Sequence, residues 1–102
     1  MKTRPSDYLN TCQLLNQLAE EAGELASAAN KMIRIIDGAN PTPVTPEKGW
    51  ISVLEELADV QVCAGELLGM GDWEDVAHVR KVKTKRWVQR LEEKEGKHET
   101  AL

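Results

Sequence analysis

The sequence of 102 residues lacks a long apolar run, a cysteine motif and any convincing strand pattern. No segment approaches the ~20 consecutive apolar residues that span a bilayer, and the first eight residues, MKTRPSDY, lack the apolar core of a signal peptide. We therefore expect a cytoplasmic protein without a membrane partner. Cys12 and Cys63 lie among apolar residues, outside any CxxC or Cys/His spacing, which favours reduced, packed thiols over a disulfide or a zinc site.

The sequence also has no internal repeat, no low-complexity tract and no strong excess of one charge. Its 29% of charged residues and net charge of -4 suit a globular protein and do not by themselves indicate a nucleic acid or membrane partner. A chain of this length forms one domain, here residues 1–102, and part of its core can be completed at a subunit interface.

Apolar residues at spacings of three and four predict a first long helix, with Ser6 or Asp7 as its N-cap. Asp37 and Gly38 predict its end, because glycine fits the left-handed position after a helix. The predicted core-facing stripe of this helix consists of Leu15, Leu18, Ala22, Leu25, Ala29, Met32 and Ile36. The following segment, GANPTPVTP, contains three prolines and is predicted as a loop.

A second helix is predicted to begin at Thr45 and Pro46, as N-cap and first helical residue. Its apolar surface is wide and includes Trp50, Leu54, Leu57, Ala64 and either Val60 or Gln61. The segment GMGD predicts a short turn before a third helix capped by Asp72, so the second and third helices should form an antiparallel hairpin. The polar tail from about residue 93 is predicted to fray. The fold class is therefore all-α, an antiparallel bundle of three main helices per subunit whose core is completed by dimerisation.

Paired carboxylates interrupt the apolar part of the first two helices. Glu21 and Glu24 lie three residues apart on one helix face, and Glu56 and Asp59 repeat the spacing on the next helix. Two like charges about 6 Å apart repel by roughly 3 kcal/mol at an effective dielectric constant of ~20, and a bound cation removes that repulsion. All-oxygen ligands select a hard ion such as Mg²⁺ or Mn²⁺.

Two alternatives to a magnesium or manganese site remain for these carboxylates. Each glutamate taken singly is more typical of a solvated helix face, and Glu20 and Glu55 fit that description best. A di-iron carboxylate bundle requires Glu-x-x-His on two helices, but the partners here are Glu24 and Asp59. The two pairs together favour a metal site.

The pattern EExxE in residues 20–24, followed by ExxD in residues 56–59, resembles the signature of the MazG-like, all-α nucleoside triphosphate pyrophosphohydrolases. The resemblance covers residues 14–90 and implies hydrolysis of a nucleoside triphosphate to the monophosphate and pyrophosphate by a homodimer or homotetramer. It implies that the magnesium ligands are Glu21, Glu24, Glu56 and Asp59, and that Glu20 orients or deprotonates the attacking water. A sister family, phosphoribosyl-ATP pyrophosphohydrolase, commonly has Tyr-His after the acidic motif, where this sequence has DVQVC.

The third helix concentrates basic residues in the segment RKVKTKRWVQR. Lys83 lies on a line with Val79 and Trp87, so its ammonium should lie near the core edge, where a phosphate or the carboxylates could meet it. Arg86 could provide a forked contact to phosphate. MazG-like proteins often have Asn-x-Lys in this helix, and Lys81 stands in place of the asparagine. The alternative for the basic residues is a solvated helix face.

The aromatic residues allow two further interpretations. Trp50 could stack on a nucleobase of the substrate, although a tryptophan one turn into a helix is more often part of a core or interface. Basic residues beside Trp87 are compatible with nucleic acid binding, but the sequence has no reader motif and a single aromatic is not a stacking platform. A nucleic acid partner is therefore not expected. The rival function from another class is a non-enzymatic helical interaction module whose glutamates are only solvated.

Overall fold

The computed structural model describes residues 1–39 and 43–101, with side chains described to residue 97, and these residues are helical without a strand. A 3₁₀ turn at Pro5–Asp7 precedes three helices, α1 (Thr11–Asp37), α2 (Pro46–Leu67) and α3 (Met70–Ala101). The prediction of an all-α protein is confirmed. The chain divides into two units, Met1–Leu67 and Leu68–Leu102, and each is described by itself.

The start of α1 differs from the prediction. Asn10 is the N-cap: its side-chain oxygen accepts from the backbone N–H of Gln13 at 2.8 Å, and the Gln13 side chain accepts from the Asn10 N–H at 2.9 Å. This reciprocal pair is a capping box. Ser6 and Asp7 instead belong to the 3₁₀ turn, where the Asp7 carboxylate accepts from the backbone N–H groups of Thr3 and Arg4. The prediction that Ser6 or Asp7 caps α1 is therefore wrong.

The predicted junction between the first two helices is confirmed at both of its ends. α1 ends at Asp37, and Gly38 adopts the left-handed conformation with φ of 73°, which glycine enters without steric cost. α2 begins at Pro46, and the Thr45 hydroxyl accepts from the Lys48 N–H at 3.3 Å. Residues 40–42 of the predicted loop lie outside the described residues.

Within the first unit, α1 and α2 pack against each other closely near the loop. Gly49 is buried, and a Cβ atom at this position would lie 2.7 Å from the Ile35 Cδ1 atom and 2.9 Å from the Met32 sulfur. Further along α2, Glu56 lies beside Glu24, which is earlier in α1. A later residue of α2 thus meets an earlier residue of α1, which shows that the two helices run in opposite directions.

The face of α1 that packs on α2 is only partly rotated from the predicted stripe, since Leu18, Leu25 and Met32 of that stripe are half-buried. Leu14 is buried, and Gln17, Glu21 and Ala28, which the sequence places beside the stripe, are half-buried. Four members of the predicted stripe are exposed, namely Leu15, Ala22, Ala29 and Ile36. On α2 likewise, the buried residues are Gly49 and Cys63, whereas Trp50, Leu54 and Leu57 are exposed. Within the first unit, the two helices thus meet along their carboxylate lines and leave much of their apolar surface uncovered by each other.

The N-terminal segment is attached to the end of α2 through Glu66. This carboxylate accepts from the Arg4 Nε atom at 3.0 Å and the Ser6 backbone N–H at 3.0 Å, and it forms an ion pair with Arg4. Its side chain is only 8% exposed. Hydrogen bonding to Arg4 lowers the pKa of Glu66, so this contact requires the ionised carboxylate.

The second unit consists mainly of α3. The helix begins at Met70, two residues before the predicted cap, and Asp72 lies in its first turn, where the carboxylate accepts from the Gly69 N–H at 2.9 Å. α3 continues as helix through the tail after residue 93 to Ala101, and the expected fraying of that tail in solution stays a prediction. Among the described residues, no helix is long and apolar enough to span a membrane.

The two thiols occupy different environments. Cys63 is buried, as predicted, but Cys12 is exposed, so the prediction that both are packed is wrong for Cys12. Both are free cysteines.

Candidate metal centre

The packing of α1 on α2 brings four carboxylates together. One carboxylate oxygen each from Glu21, Glu24, Glu56 and Asp59 lies within 4.8 Å of the others. The spacing of three within each pair places both carboxylates on one helix face, and the contact between the helices makes the two faces meet. The predicted set of ligands is therefore assembled at one place in the structure.

Two oxygens of this group are buried without a hydrogen bond. They are the Oε2 atoms of Glu21 and Glu56, which have no partner in the described part of the chain. Buried polar atoms in proteins are nearly always paired, with the exceptions found where water, an ion or a ligand completes the site. These two atoms consequently mark a position where a positively charged partner fits.

The other oxygen of Glu21 is already engaged. The Gln17 side-chain amide, one helical turn earlier, donates from Nε2 to the Glu21 Oε1 atom at 2.8 Å. Both side chains are half-buried. The hydrogen bond holds the Glu21 carboxylate in place and leaves its Oε2 atom as the free acceptor.

The electrostatics of the group disfavour full ionisation without a cation. Burial raises the pKa of Glu56 above its usual range, and the neighbouring charges of Glu24, Asp59 and Glu21 add to this effect. A raised carboxyl pKa means that the ionised form of Glu56 destabilises the folded state. This destabilisation is absent below the ordinary carboxyl pKa and becomes complete as the pH rises through the raised pKa of Glu56. A bound cation reverses the balance by favouring the charged form.

The donor set fits a hard divalent ion. Four carboxylate oxygens are typical ligands of Mg²⁺ or Mn²⁺. Cys63 lies close by, but burial first, and then the charges of Glu21 and Asp59, raise the pKa of its thiol. A sulfur ligand is soft and does not match the preference of Mg²⁺ or Mn²⁺ for oxygen, so Cys63 is not among the proposed ligands.

The remaining predicted site residues are not part of the carboxylate group. Glu20 is exposed and is not among the four residues whose oxygens converge. Trp50 is 54% exposed on α2. Lys83 and Arg86 are exposed on α3, in the second unit. Their proposed roles toward water, base and phosphate stay predictions.

α3 has a shallow groove along one side, and the exposed side chain of Lys83 contributes to its lining. The expectation that the Lys83 ammonium lies near the core edge stays a prediction. The groove is lined by Asp75, Val76, Val79, Arg80, Lys83, Thr84 and Trp87. Arg80 and Lys83 place two positive charges beside the exposed side chains of Val79 and Trp87.

Sequence patterns assign no role to Gln17 or Arg4, although both contact important carboxylates. Gln17 lies four residues before Glu21, and this helical spacing was the available signal for their hydrogen bond. Arg4 and Glu66 are 62 residues apart, and no local pattern predicts that they meet.

In comparisons with known protein families, curated proteins and solved structures, no match to this chain is found.

Proposed function

We propose that this protein is a magnesium-dependent nucleotide pyrophosphohydrolase of the MazG-like type, which cleaves a nucleoside triphosphate to the monophosphate and pyrophosphate. The observation that carries the proposal is the convergence of Glu21, Glu24, Glu56 and Asp59 within 4.8 Å, with two buried, unpaired oxygens among them. The same four residues are the ones that the EExxE and ExxD resemblance assigns to the metal.

The electrostatics support a cation-binding role over a purely structural one. A group of carboxylates that only solvated a helix face would point outward, and its oxygens would bond to water. Here the Glu21 and Glu56 oxygens face inward between two packed helices, and the pKa of Glu56 is raised. Such an arrangement costs stability unless a cation binds, and it is typical of functional sites.

The chemistry requires transfer of the nucleotidyl group, the nucleoside with its α-phosphate, to water. Water attacks the α-phosphorus, the bond to the bridging oxygen breaks, and pyrophosphate leaves with that oxygen. The four carboxylates would hold Mg²⁺ or Mn²⁺, which supplies charge neutralisation and Lewis acidity when bound. Glu20 is our candidate for orienting or deprotonating the water, and Lys83 and Arg86 are our candidates for contacting the phosphate oxygens. Trp50 is our candidate for stacking on the base.

The active form in this proposal is a homodimer or homotetramer in which the three helices form an antiparallel bundle. In the described part of the chain, the buried apolar side chains are those of Leu14 and Cys63. Trp50, Leu54 and Leu57 are exposed on α2 by 41% or more. A chain of this length normally buries a larger apolar core, and a second subunit supplies the missing cover.

The decisive experiment is a panel of ribonucleoside and deoxyribonucleoside triphosphates, assayed with Mg²⁺ for pyrophosphate against orthophosphate. We expect pyrophosphate as the first product with at least one member, and no turnover in the presence of a chelator. Orthophosphate as the first product, or no turnover of any member, contradicts the proposal. Phosphoribosyl-ATP, included in the panel, tests the sister activity directly.

A second candidate function is a non-enzymatic helical interaction module, which the exposed apolar residues of α1 and α2 favour. The two functions differ in their response to metal. An ion at 100 times its dissociation constant stabilises a folded protein by about 2.7 kcal/mol, whereas a module with solvated glutamates gains nothing specific. Thermal unfolding with increasing Mg²⁺ therefore distinguishes them.

A further inference from the structure

We infer that Gln17 is a positioning residue that makes the carboxylate site selective for Mg²⁺ over Ca²⁺. The inference rests on the proposed metal site and concerns how one of its ligands is presented. Gln17 is not among the converging carboxylates, and its side chain acts through Glu21.

The two oxygens of Glu21 have different environments. Oε1 accepts the Gln17 amide proton at 2.8 Å, whereas Oε2 is buried and unpaired. Oε2 is therefore the oxygen without a competing donor, and the hydrogen bond makes Oε1 the weaker ligand of the two. Because the amide holds the other oxygen, Glu21 is set to bind through a single oxygen atom.

Single-oxygen binding distinguishes between the two ions. Mg²⁺ requires a near-ideal octahedron at about 2.0–2.1 Å and commonly binds carboxylates through one oxygen while it keeps several waters. Ca²⁺ takes six to eight oxygens at about 2.3–2.6 Å and gains its higher coordination from carboxylates that bind through both oxygens. The Gln17 amide, by holding Oε1 of Glu21, thus favours Mg²⁺ over Ca²⁺.

The position of Gln17 makes this effect specific. The residue lies one turn before Glu21 on the packed face of α1, and it is half-buried, so water replaces its amide poorly. Partners that orient a metal ligand typically change metal affinity by about 10–100-fold when they are removed. The expected result of removing the Gln17 donor is weaker Mg²⁺ binding together with unchanged or tighter Ca²⁺ binding.

The test compares the two metals alone, without nucleotide, by calorimetric titration of the full chain. Gln17→Met removes the donor with little change in shape, and Gln17→Leu removes it with a second apolar side chain, so the outcome does not depend on one variant folding. Gln61→Met is the matched control, because it makes the same change at an exposed position of α2. We expect the ratio of Ca²⁺ to Mg²⁺ dissociation constants to fall about tenfold in the Gln17 variants only.

The outcomes separate this inference from the proposed function. A wild-type protein that binds Mg²⁺, with an unchanged ratio in the Gln17 variants, overturns the inference and leaves the metal site intact. An equal loss of affinity for both ions also overturns it, because a general structural disturbance does not alter the ratio. A wild-type protein that binds neither ion refutes the metal site, and the inference fails with it.

Discussion

The substitution Gly49→Ala tests the close packing that sets the position of α2 on α1. The added Cβ atom would lie 2.7 Å from Ile35 Cδ1 and 2.9 Å from the Met32 sulfur, well inside the ~3.5–4.0 Å of an ordinary contact. Overpacking of this kind costs about 1–3 kcal/mol, and the better helix propensity of alanine offsets about 1 kcal/mol of it. Both contacting atoms are the ends of flexible side chains, so we expect a net loss of about 1 kcal/mol of unfolding free energy.

Gly65→Ala is the matched control on the same helix. A Cβ atom there meets nothing within 4 Å, so this variant should gain up to about 1 kcal/mol of unfolding free energy. The expected difference of about 2 kcal/mol between the two variants corresponds to about 8–16 °C in melting temperature. Thermal unfolding followed by circular dichroism, without divalent ions, measures it. Equal stabilities of the two variants would refute the close approach at Gly49.

The same pair of variants connects packing to the metal site. The part of the obstruction at Gly49 that Ile35 and Met32 do not absorb shifts α2 on α1, and so moves Glu56 and Asp59 relative to the carboxylates of the other helix. Mg²⁺ affinity should therefore fall in Gly49→Ala and stay unchanged in Gly65→Ala. If the two variants bind Mg²⁺ equally well while their unfolding free energies differ, the metal site does not depend on the close packing of α2 on α1 at Gly49.

Three further predictions concern the site and its surroundings. Glu24→Gln and Asp59→Asn should each abolish turnover, because each removes one proposed ligand. Without metal, each variant should be as stable as the wild type or slightly more so, because one repelling charge is gone. Unfolding of both variants under conditions where the metal-free wild type stays folded would show that these carboxylates are structural. Lys83→Met should lose nucleotide turnover and keep its fold and its Mg²⁺ affinity, since the ammonium is assigned to phosphate, and full activity would refute that assignment. For Glu66, the lowered pKa means that its stabilising contribution is present above the ordinary glutamate pKa and is lost as the pH falls through the lowered one. Arg4→Met should therefore be less stable than the wild type at neutral pH, and this difference in stability should shrink in acid. Melting curves of both proteins from neutral to acid pH measure the difference. A difference that stays constant with pH would exclude the Arg4–Glu66 ion pair as its cause.

The sequence by itself determined that the chain forms three helices and which four carboxylates come together, although it misplaced the start of α1. Local chemistry ends α1 at Gly38 and begins α2 at Pro46, because a left-handed glycine and a proline in the first turn act within a few residues of themselves. The spacing of three in each carboxylate pair needs only helical geometry to put Glu21 beside Glu24. The group of four followed from these local facts once the two helices were taken to pack together.

The tertiary structure alone decided which faces of those helices meet. The apolar surfaces of α1 and α2 are wider than one partner helix covers, so periodicity leaves several packing orientations open. The structure places Leu14 inside and leaves Leu15 51% exposed. Glu21, on one helical face with Leu14, is half-buried, while Glu24 stays exposed. The folding of the N-terminal segment onto the end of α2 likewise decides the contact of Arg4 with Glu66. The packing around Glu21 decides which of its two oxygens accepts from Gln17 and which stays unpaired. The Arg4–Glu66 contact joins residues that no local pattern relates, and only the folded chain brings them within hydrogen-bonding distance.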